Sequence, residues 1–327
     1  MALRLIGRAA TAALVVVALS MVCFGLLAAA PGDPAASVLE ARSGGRPPAP
    51  AAVAELRAEM GLDDPPPVRY WRWASDALRG DLGTSYMSGR PVTETLGDTV
   101  PWTLLLTAAS VLLSFTAALA VGLVAALTRR AWLRRGIDLL LFVMGGMPGF
   151  VIALLLLYVF AAATHLMPSG GVSRPGEDVT AYGLLAHLVL PACALAFGHH
   201  FGIYVRLVEN GVGRLKDAPH VENARARGLP RRTVVARHLM RPGLVPFTAR
   251  LGVGVGTLIA SVYATEVIFS WPGMGREAIS AARAQDYPLL IAIVLVTGLI
   301  VIAANLVAEL IVAALDPRVR TGLTDAV

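Results

Sequence analysis

Side chains that could act as nucleophiles, bases or phosphate ligands are few in this chain of 327 residues. The single lysine, Lys216, is not preceded by the glycine of a phosphate-binding loop. No stretch matches G-x-x-x-x-G-K-S/T, H-E-x-x-H or G-x-S-x-G. We therefore expect no P-loop nucleotide hydrolysis by this chain, and no pair of nucleophile and base stands out.

Metal ligands are equally scarce. His199 and His200 are the most tempting pair, but adjacent helical residues point about 100° apart and cannot readily share one ion. The two cysteines, Cys23 and Cys193, lie within apolar runs, which indicates small buried side chains rather than a metal site or a disulfide. The sequence predicts no metal site.

Ionisable groups inside apolar runs are costly, which makes them candidates for function. Glu266 and Glu309 stand near the ends of two such runs, where snorkelling to the boundary is the alternative. The run of Glu266 also carries Gly252, Gly254 and Gly256, which would let a substrate or another helix approach the backbone. Glu266 and the three glycines are our candidates for a substrate pathway.

The richest polar segment covers residues 206–244, here called the basic loop. Asp217 predicts a helix N-cap, Pro219 suits the first turn, and Gly228 followed by Pro230 predicts a stop. The helix between them should have roughly ten residues and a length of about 15 Å.

A second short helix is expected around residues 233–240. Helices this short are marginal alone and gain stability by docking. The partner is either the rest of this chain or a groove of another protein.

Composition identifies the environment of these elements. Hydrophobic residues make up 56% of the chain and charged residues 15%, a balance that excludes a disordered protein and favours a lipid environment. Windows of about 20 nearly uncharged residues predict membrane-spanning helices rather than barrel strands. Six such windows occur: 9–30, 101–127, 137–163, 181–205, 246–269 and 289–315.

The first window has a rival interpretation. Arg4 and Arg8, an apolar stretch and Ala28-Ala29-Ala30 together resemble a cleavable signal peptide. The window is longer than the apolar core of a signal peptide, and five more windows follow. We therefore expect an uncleaved first helix.

Basic residues predict the orientation. Two links that would face the same side of the membrane are rich in arginine. They are the link between windows two and three and the basic loop between windows four and five. Because Lys and Arg keep a loop in the cytoplasm, both links and both termini should lie inside. The net charge of +6 therefore reflects topology and not a nucleic-acid surface.

The long polar link after the first window is then extracytoplasmic. It predicts two short helices, over Val53–Met60 and Val68–Arg79, ended by Gly61 and Gly80. Tyr70, Trp71 and Trp73 on the second helix suit either the membrane boundary or a small packed cap.

Motifs along the chain resemble one family. Glu222–Gly228 resembles the E-A-A-x-x-x-G loop of permease subunits of binding-protein-dependent ABC importers, with Asn223 in place of an alanine. Six further motifs are similar to the first permease of dipeptide, oligopeptide and nickel importers: Pro31–Pro34, Gly61–Asp63, Arg79–Ser85, Phe269–Gly275, Asp286–Pro288 and Leu315–Arg320.

The resemblance implies an all-α polytopic protein of the bacterial cytoplasmic membrane, with six transmembrane helices and both termini cytoplasmic. It implies residues 1–30 as N-terminus and first span, 31–100 as extracytoplasmic insertion, 101–315 as transmembrane domain and 316–327 as cytoplasmic tail. Within the domain, the basic loop would couple transport to ATP hydrolysis. The residues expected in this role are Asp217, Glu222, Ala224, Arg225 and Gly228.

The implied partners are a second, homologous permease, one or two cytoplasmic ABC ATPase subunits, an extracytoplasmic substrate-binding protein and the lipid bilayer. ATP and Mg²⁺ would bind the ATPases, so no cofactor is expected in this chain, nor any catalytic or nucleic-acid site. The cargo is a dipeptide or oligopeptide, or alternatively nickel or a metal chelate. A passive channel would need no coupling loop.

Overall fold

The computed structural model describes residues 2–174, 176–198 and 200–315. It describes side-chain surroundings at residues 10–174, 176–198, 200–248, 250, 258–259 and 261–307. Apart from an isolated bridge between Thr84 and Pro91, the regular secondary structure of this part of the chain is helical. The predicted all-helical class is confirmed.

The helices follow one another along the whole described chain. They are α1 (Ala2–Ala29), α2 (Pro34–Arg42), α3 (Pro50–Glu59), α4 (Pro66–Leu78), α5 (Val92–Leu127), α6 (Ala131–Gly145), α7 (Gly149–Leu156, continued by the π-helical Leu157–Ala163), α8 (Ala181–Phe197), α9 (Phe201–Gly213), α10 (Pro219–Ala226), α11 (Arg231–Thr233, continued by the π-helical Val234–Met240), α12 (Arg241–Gly243), α13 (Val245–Ile268), α14 (Met274–Arg283) and α15 (Tyr287–Leu315).

Three helical stretches are long and apolar enough to cross a membrane: Ala10–Ala29, Val92–Leu127 and Tyr287–Val307. Counting each of two bent helix pairs as one span brings the total to five within the described residues. The helix α13 covers the predicted fifth window without a break. The count of six spans stays a prediction.

The predicted third window, 137–163, is wrong as one continuous helix. It is divided between α6 and α7, whose axes are bent by 107°. The cause is local, because Pro148 has an extended backbone and no N–H with which to continue α6. The fourth window is likewise divided, between α8 and α9, with Gly198 closing α8.

Residues 31–100 contain the two predicted short helices, now α3 and α4. The left-handed conformation of Gly61 and Gly80, with φ of +61° and +88°, ends them as expected. One further helix, α2, was not predicted. The Asp33 side chain caps it by accepting a hydrogen bond of 3.0 Å from the backbone N–H of Ala35.

The chain forms two compact units. Of the described residues, the first unit comprises those up to Thr103 together with Pro272–Ile302, and the second comprises Leu104–Trp271 together with Ala303–Leu315. The basic loop belongs to the second unit. The motifs around Asp33, Ser85 and Asp286 belong to the first.

Candidate functional site

The helix α10 lies in the middle of the basic loop. Its N-cap is Ala218, so the prediction that Asp217 caps this helix is wrong. Pro219 fixes the first helical φ in place of a capping side chain, and Asp217 is exposed. With eight residues, α10 is about 12 Å long.

Two faces of α10 have different surroundings. Val221 and Ala224 are buried in one apolar cluster with Val234 and Leu239 of the returning segment. Glu222, Asn223 and Arg225 are exposed to solvent. The loop is therefore fixed to its own unit on one side, which is the first of the two docking alternatives, and presents a polar surface on the other.

The end of α10 is closed by two nested backbone hydrogen bonds. Leu229 N–H donates to the Ala224 carbonyl at 3.2 Å, and Gly228 N–H donates to the Arg225 carbonyl at 2.9 Å. This Schellman arrangement requires a left-handed residue, which Gly228 provides with φ of +72°.

The returning arm of the loop crosses α9 where both backbones carry glycine. A Cβ atom added to Gly211 would lie well inside van der Waals contact with the carbonyl oxygen of Gly243. A Cβ atom on Gly243 would lie 3.0 Å from the carbonyl atoms of Gly211. Sequence reasoning missed this crossing, because the two glycines lie in different elements.

An ion network joins α6 to the first residues of the basic loop, which lie in α9. Arg206 contacts Asp138 at 2.6 Å and Glu209 at 2.7 Å, and Arg134 contacts the other oxygen of Glu209 at 3.3 Å. Glu209 is buried, and a buried carboxylate is retained only when it is paired. Sequence reasoning also missed this network, although acidic residues within two apolar helices were an available signal.

The predicted substrate-pathway residues all lie on α13. Glu266 is fully buried near its C-terminal end. The basic loop precedes its N-terminal end, so Glu266 and the loop are about 30 Å apart along the helix. Gly252, Gly254 and Gly256 are helical, but their surroundings lie outside the described residues.

The structure gives no contacts for His199 or Glu309, two of the residues singled out from the sequence. His199 lies outside the described residues, as do the surroundings of Glu309. Among the described residues, no group of three or more His, Cys, Asp or Glu could hold a metal ion.

A second polar centre in the first unit joins two motifs that sequence reasoning had recorded separately. The Asp286 carboxylate is fully buried and accepts hydrogen bonds from the Ser85 hydroxyl at 2.5 Å and the Met87 N–H at 3.1 Å. Burial raises the pKa of the neighbouring Tyr86, with Arg69 opposing the effect and Asp286 adding to it. The neutral tyrosine is thus favoured beside the carboxylate.

A second pair of motifs meets through Arg57. Its guanidinium contacts Asp63 at 2.6 Å and Asp33 at 3.0 Å, and these bonds, with Asp63 the larger contributor, raise the pKa of Arg57. Arg57 of α3 therefore links the motif residues Asp33 and Asp63 within the segment 31–100.

Replacing Asp286 tests whether the buried carboxylate holds the first unit together. We expect Asp286→Ala to lower the free energy of unfolding by about 2–3 kcal/mol, because the Ser85 hydroxyl and the Met87 N–H lose their acceptor. Thermal unfolding of the purified protein in detergent measures the loss. The exposed Asp98 is the control, and equal losses in Asp98→Ala and Asp286→Ala would contradict the assignment.

The fold and the loop define a class: a helical membrane protein with a short polar helix held by one face beside its bundle. Comparison with known sequences specifies the family. The profile of the binding-protein-dependent transport system inner membrane component matches residues 118–321, and the profile of its N-terminal part matches residues 1–107. The chain belongs to this family of importer permeases.

Individual relatives are similar to this chain over about nine tenths or more of its length. A Brucella suis protein named as a peptide permease is 33% identical over 93% of this chain and 94% of its own length. The oligopeptide transport system permease protein AppB of Bacillus subtilis is 28% identical over 98% of this chain and all of its own. The glutathione transport system permease protein GsiC of Pectobacterium atrosepticum is 31% identical over 89% and 90%.

A solved structure shares the fold. The inward-facing MetNI methionine ABC transporter contains a chain that superposes with a TM-score of 0.53 at 17% identity, covering 68% of this chain and 97% of that one. At this identity, the likeness concerns the fold alone.

Proposed function

We propose that this chain is one of two homologous permease subunits of an ABC importer for peptides. Family membership over most of the chain carries the proposal. Further support comes from the basic loop, whose helix α10 is fixed on one face and exposed on the other. In this assignment the chain is a transport subunit and has no catalytic site.

The basic loop is the point where ATP hydrolysis acts on the permease. Glu222 and Arg225 lie on the exposed side of α10 and would contact a cleft of an ATPase subunit, which binds ATP and Mg²⁺. Ala224 and Val221 anchor the helix to its own unit. Closure of the ATPases would move the anchored helices between two discrete arrangements of the bundle.

The proposed topology has six spans with both termini in the cytoplasm of a bacterium. It rests on the arginine-rich links and on the long helices at the two ends of the chain. Residues 31–100 would then face the extracytoplasmic binding protein that delivers the cargo.

Relatives favour peptides as cargo. Those reported above are named for peptides, oligopeptides and glutathione, which is itself a small peptide. The nickel alternative is not favoured. Glu266 and the glycines of α13 stay our candidates for the substrate pathway.

Vesicle transport tests the proposal. We expect the importer assembled from this chain, its partner permease, ATPases and binding protein to accumulate labelled short peptides only when ATP reaches the ATPases. This chain alone should neither hydrolyse ATP nor accumulate peptide. Accumulation of nickel without peptide uptake by the complete assembly would contradict the assignment of peptides as cargo. ATP hydrolysis or peptide accumulation by this chain alone would contradict the assignment of ATP hydrolysis to partner subunits.

A further inference from the structure

The aromatic residues of α4 lie on two opposite faces of the helix. Tyr70 packs edge-to-face on Phe24 of α1, with ring centroids 5.5 Å apart, and Trp73 lies 6.1 Å from Tyr70. Trp71 is directed away from this contact and is 74% exposed. Tyr70 and Trp73 therefore form the packed cap that the sequence offered as one alternative. Trp71 takes no part in it.

Trp71 belongs to an apolar stripe along the outer face of α4. Val68, Trp71 and Leu78 fall within an arc of about 80° at helical spacing. Leu78 is 91% exposed, the highest value among the large apolar residues of the described chain. Arg72 and Arg79 border the stripe and are also exposed. A helix with one exposed apolar face and arginines beside it is typical of helices that lie in a membrane interface.

Contacts with α1 place α4 beside a candidate membrane span. The Tyr70 hydroxyl hydrogen-bonds the Ser20 hydroxyl at 2.9 Å. Ser20 precedes the end of α1 at Ala29 by about 14 Å along the helix axis, inside the candidate span Ala10–Ala29. The inner face of α4 thus reaches well below the end of a spanning helix.

A second contact fixes α4 beside another span. The Arg69 guanidinium lies 5.7 Å from the ring centroid of Phe24 and 6.0 Å from that of Tyr287. Tyr287 begins the candidate span of α15, and its hydroxyl donates to the Leu27 carbonyl at 2.8 Å. The helix α4 is therefore held where α1 ends and α15 begins.

From this geometry we infer that α4 is an interfacial membrane helix. Val68, Trp71 and Leu78 enter the boundary between headgroups and acyl chains, and the bordering arginines face the phosphates. The bilayer is the occupant of this face because α4 packs on the candidate membrane span of α1, which itself exposes the apolar Met21, Val22 and Leu26. In the topology proposed above, this is the outer leaflet, and the inference holds whatever the cargo.

Spin-label accessibility tests the inference in the assembled importer in lipid vesicles. In a background of Cys23→Ala and Cys193→Ala, nitroxides are attached at Trp71→Cys, Leu78→Cys and, as control, Glu59→Cys. Glu59 is exposed at the end of α3. Oxygen, which concentrates in lipid, should relax the labels at positions 71 and 78 more strongly than chromium oxalate, which stays in water. The control should show the reverse order.

Two results would overturn the inference. If chromium oxalate relaxes positions 71 and 78 as strongly as position 59, the stripe faces water. If neither reagent reaches positions 71 and 78, a protein partner such as the binding protein or the second permease covers the stripe.

Discussion

We expect Gly228→Val to abolish ATP-driven uptake while the protein remains inserted in the membrane. Gly228 holds φ of +72°, and no atom lies within 4 Å of the position that a Cβ would take. The damage therefore comes from backbone conformation and not from a clash. A left-handed conformation costs an L-residue about 1–2 kcal/mol, and a β-branched side chain more, so valine should displace the end of α10.

The displacement matters because α10 is short. Its last turn is closed by the Schellman bonds from Gly228 and Leu229, and without them the eight-residue helix frays. Glu222 and Arg225 then lose their fixed position on the exposed side. Peptide uptake and substrate-stimulated ATP hydrolysis of the assembled importer measure the loss.

Asparagine at the same position is the matched control. Asparagine tolerates the left-handed region better than other residues with a side chain, so Gly228→Asn should keep most of the uptake. Normal substrate-stimulated ATP hydrolysis in Gly228→Val would remove the basic loop from the coupling mechanism.

Gly211→Ala should both destabilise the protein and impair uptake. The new Cβ would collide with the carbonyl oxygen of Gly243, and a backbone atom cannot move aside as a flexible side chain can. Overpacking of this kind costs about 1–3 kcal/mol, and Gly211→Val should cost more. Because the contact lies where the returning arm of the basic loop crosses α9, relief of the collision shifts the loop itself.

Gly202 provides the control within the same helix. No atom lies within 4 Å of a Cβ added there, so Gly202→Ala should be neutral or slightly stabilising through helix propensity. Unfolding temperatures in detergent and uptake in vesicles compare the two variants. Identical unfolding temperatures would mean that the crossing has no structural role.

Glycine and proline residues predicted most of the ends of the short helices. Gly61 and Gly80 end α3 and α4 as expected, and Pro219 and Gly228 bracket α10. These predictions succeeded because proline and glycine restrict φ within one or two residues, whatever surrounds them. The cap at Asp217 failed because Ala218 takes the capping position, and a shift of one residue is beyond what local preference resolves.

The third window shows a different kind of failure. Its apolar composition predicted one span, because mean hydropathy measures the preference of a segment for lipid and contains no information about the path of the helix axis. The bend of 107° arises at Pro148, a residue within the window whose effect a hydropathy average conceals. The arginines of the two basic links predicted the topology, but Arg134 and Arg206 also pair with the buried Glu209.

The sequence by itself determined the membrane class, the helical content, the family motifs and the ends of the short helices. Each of these depends on composition or on residues close together in the chain. Only the tertiary structure decided which motifs meet. Ser85 and Asp286 are 201 positions apart, and the crossing of Gly211 with Gly243 joins separate elements. The physical reason is that such contacts are selected by packing of the whole unit, which no local conformational preference encodes.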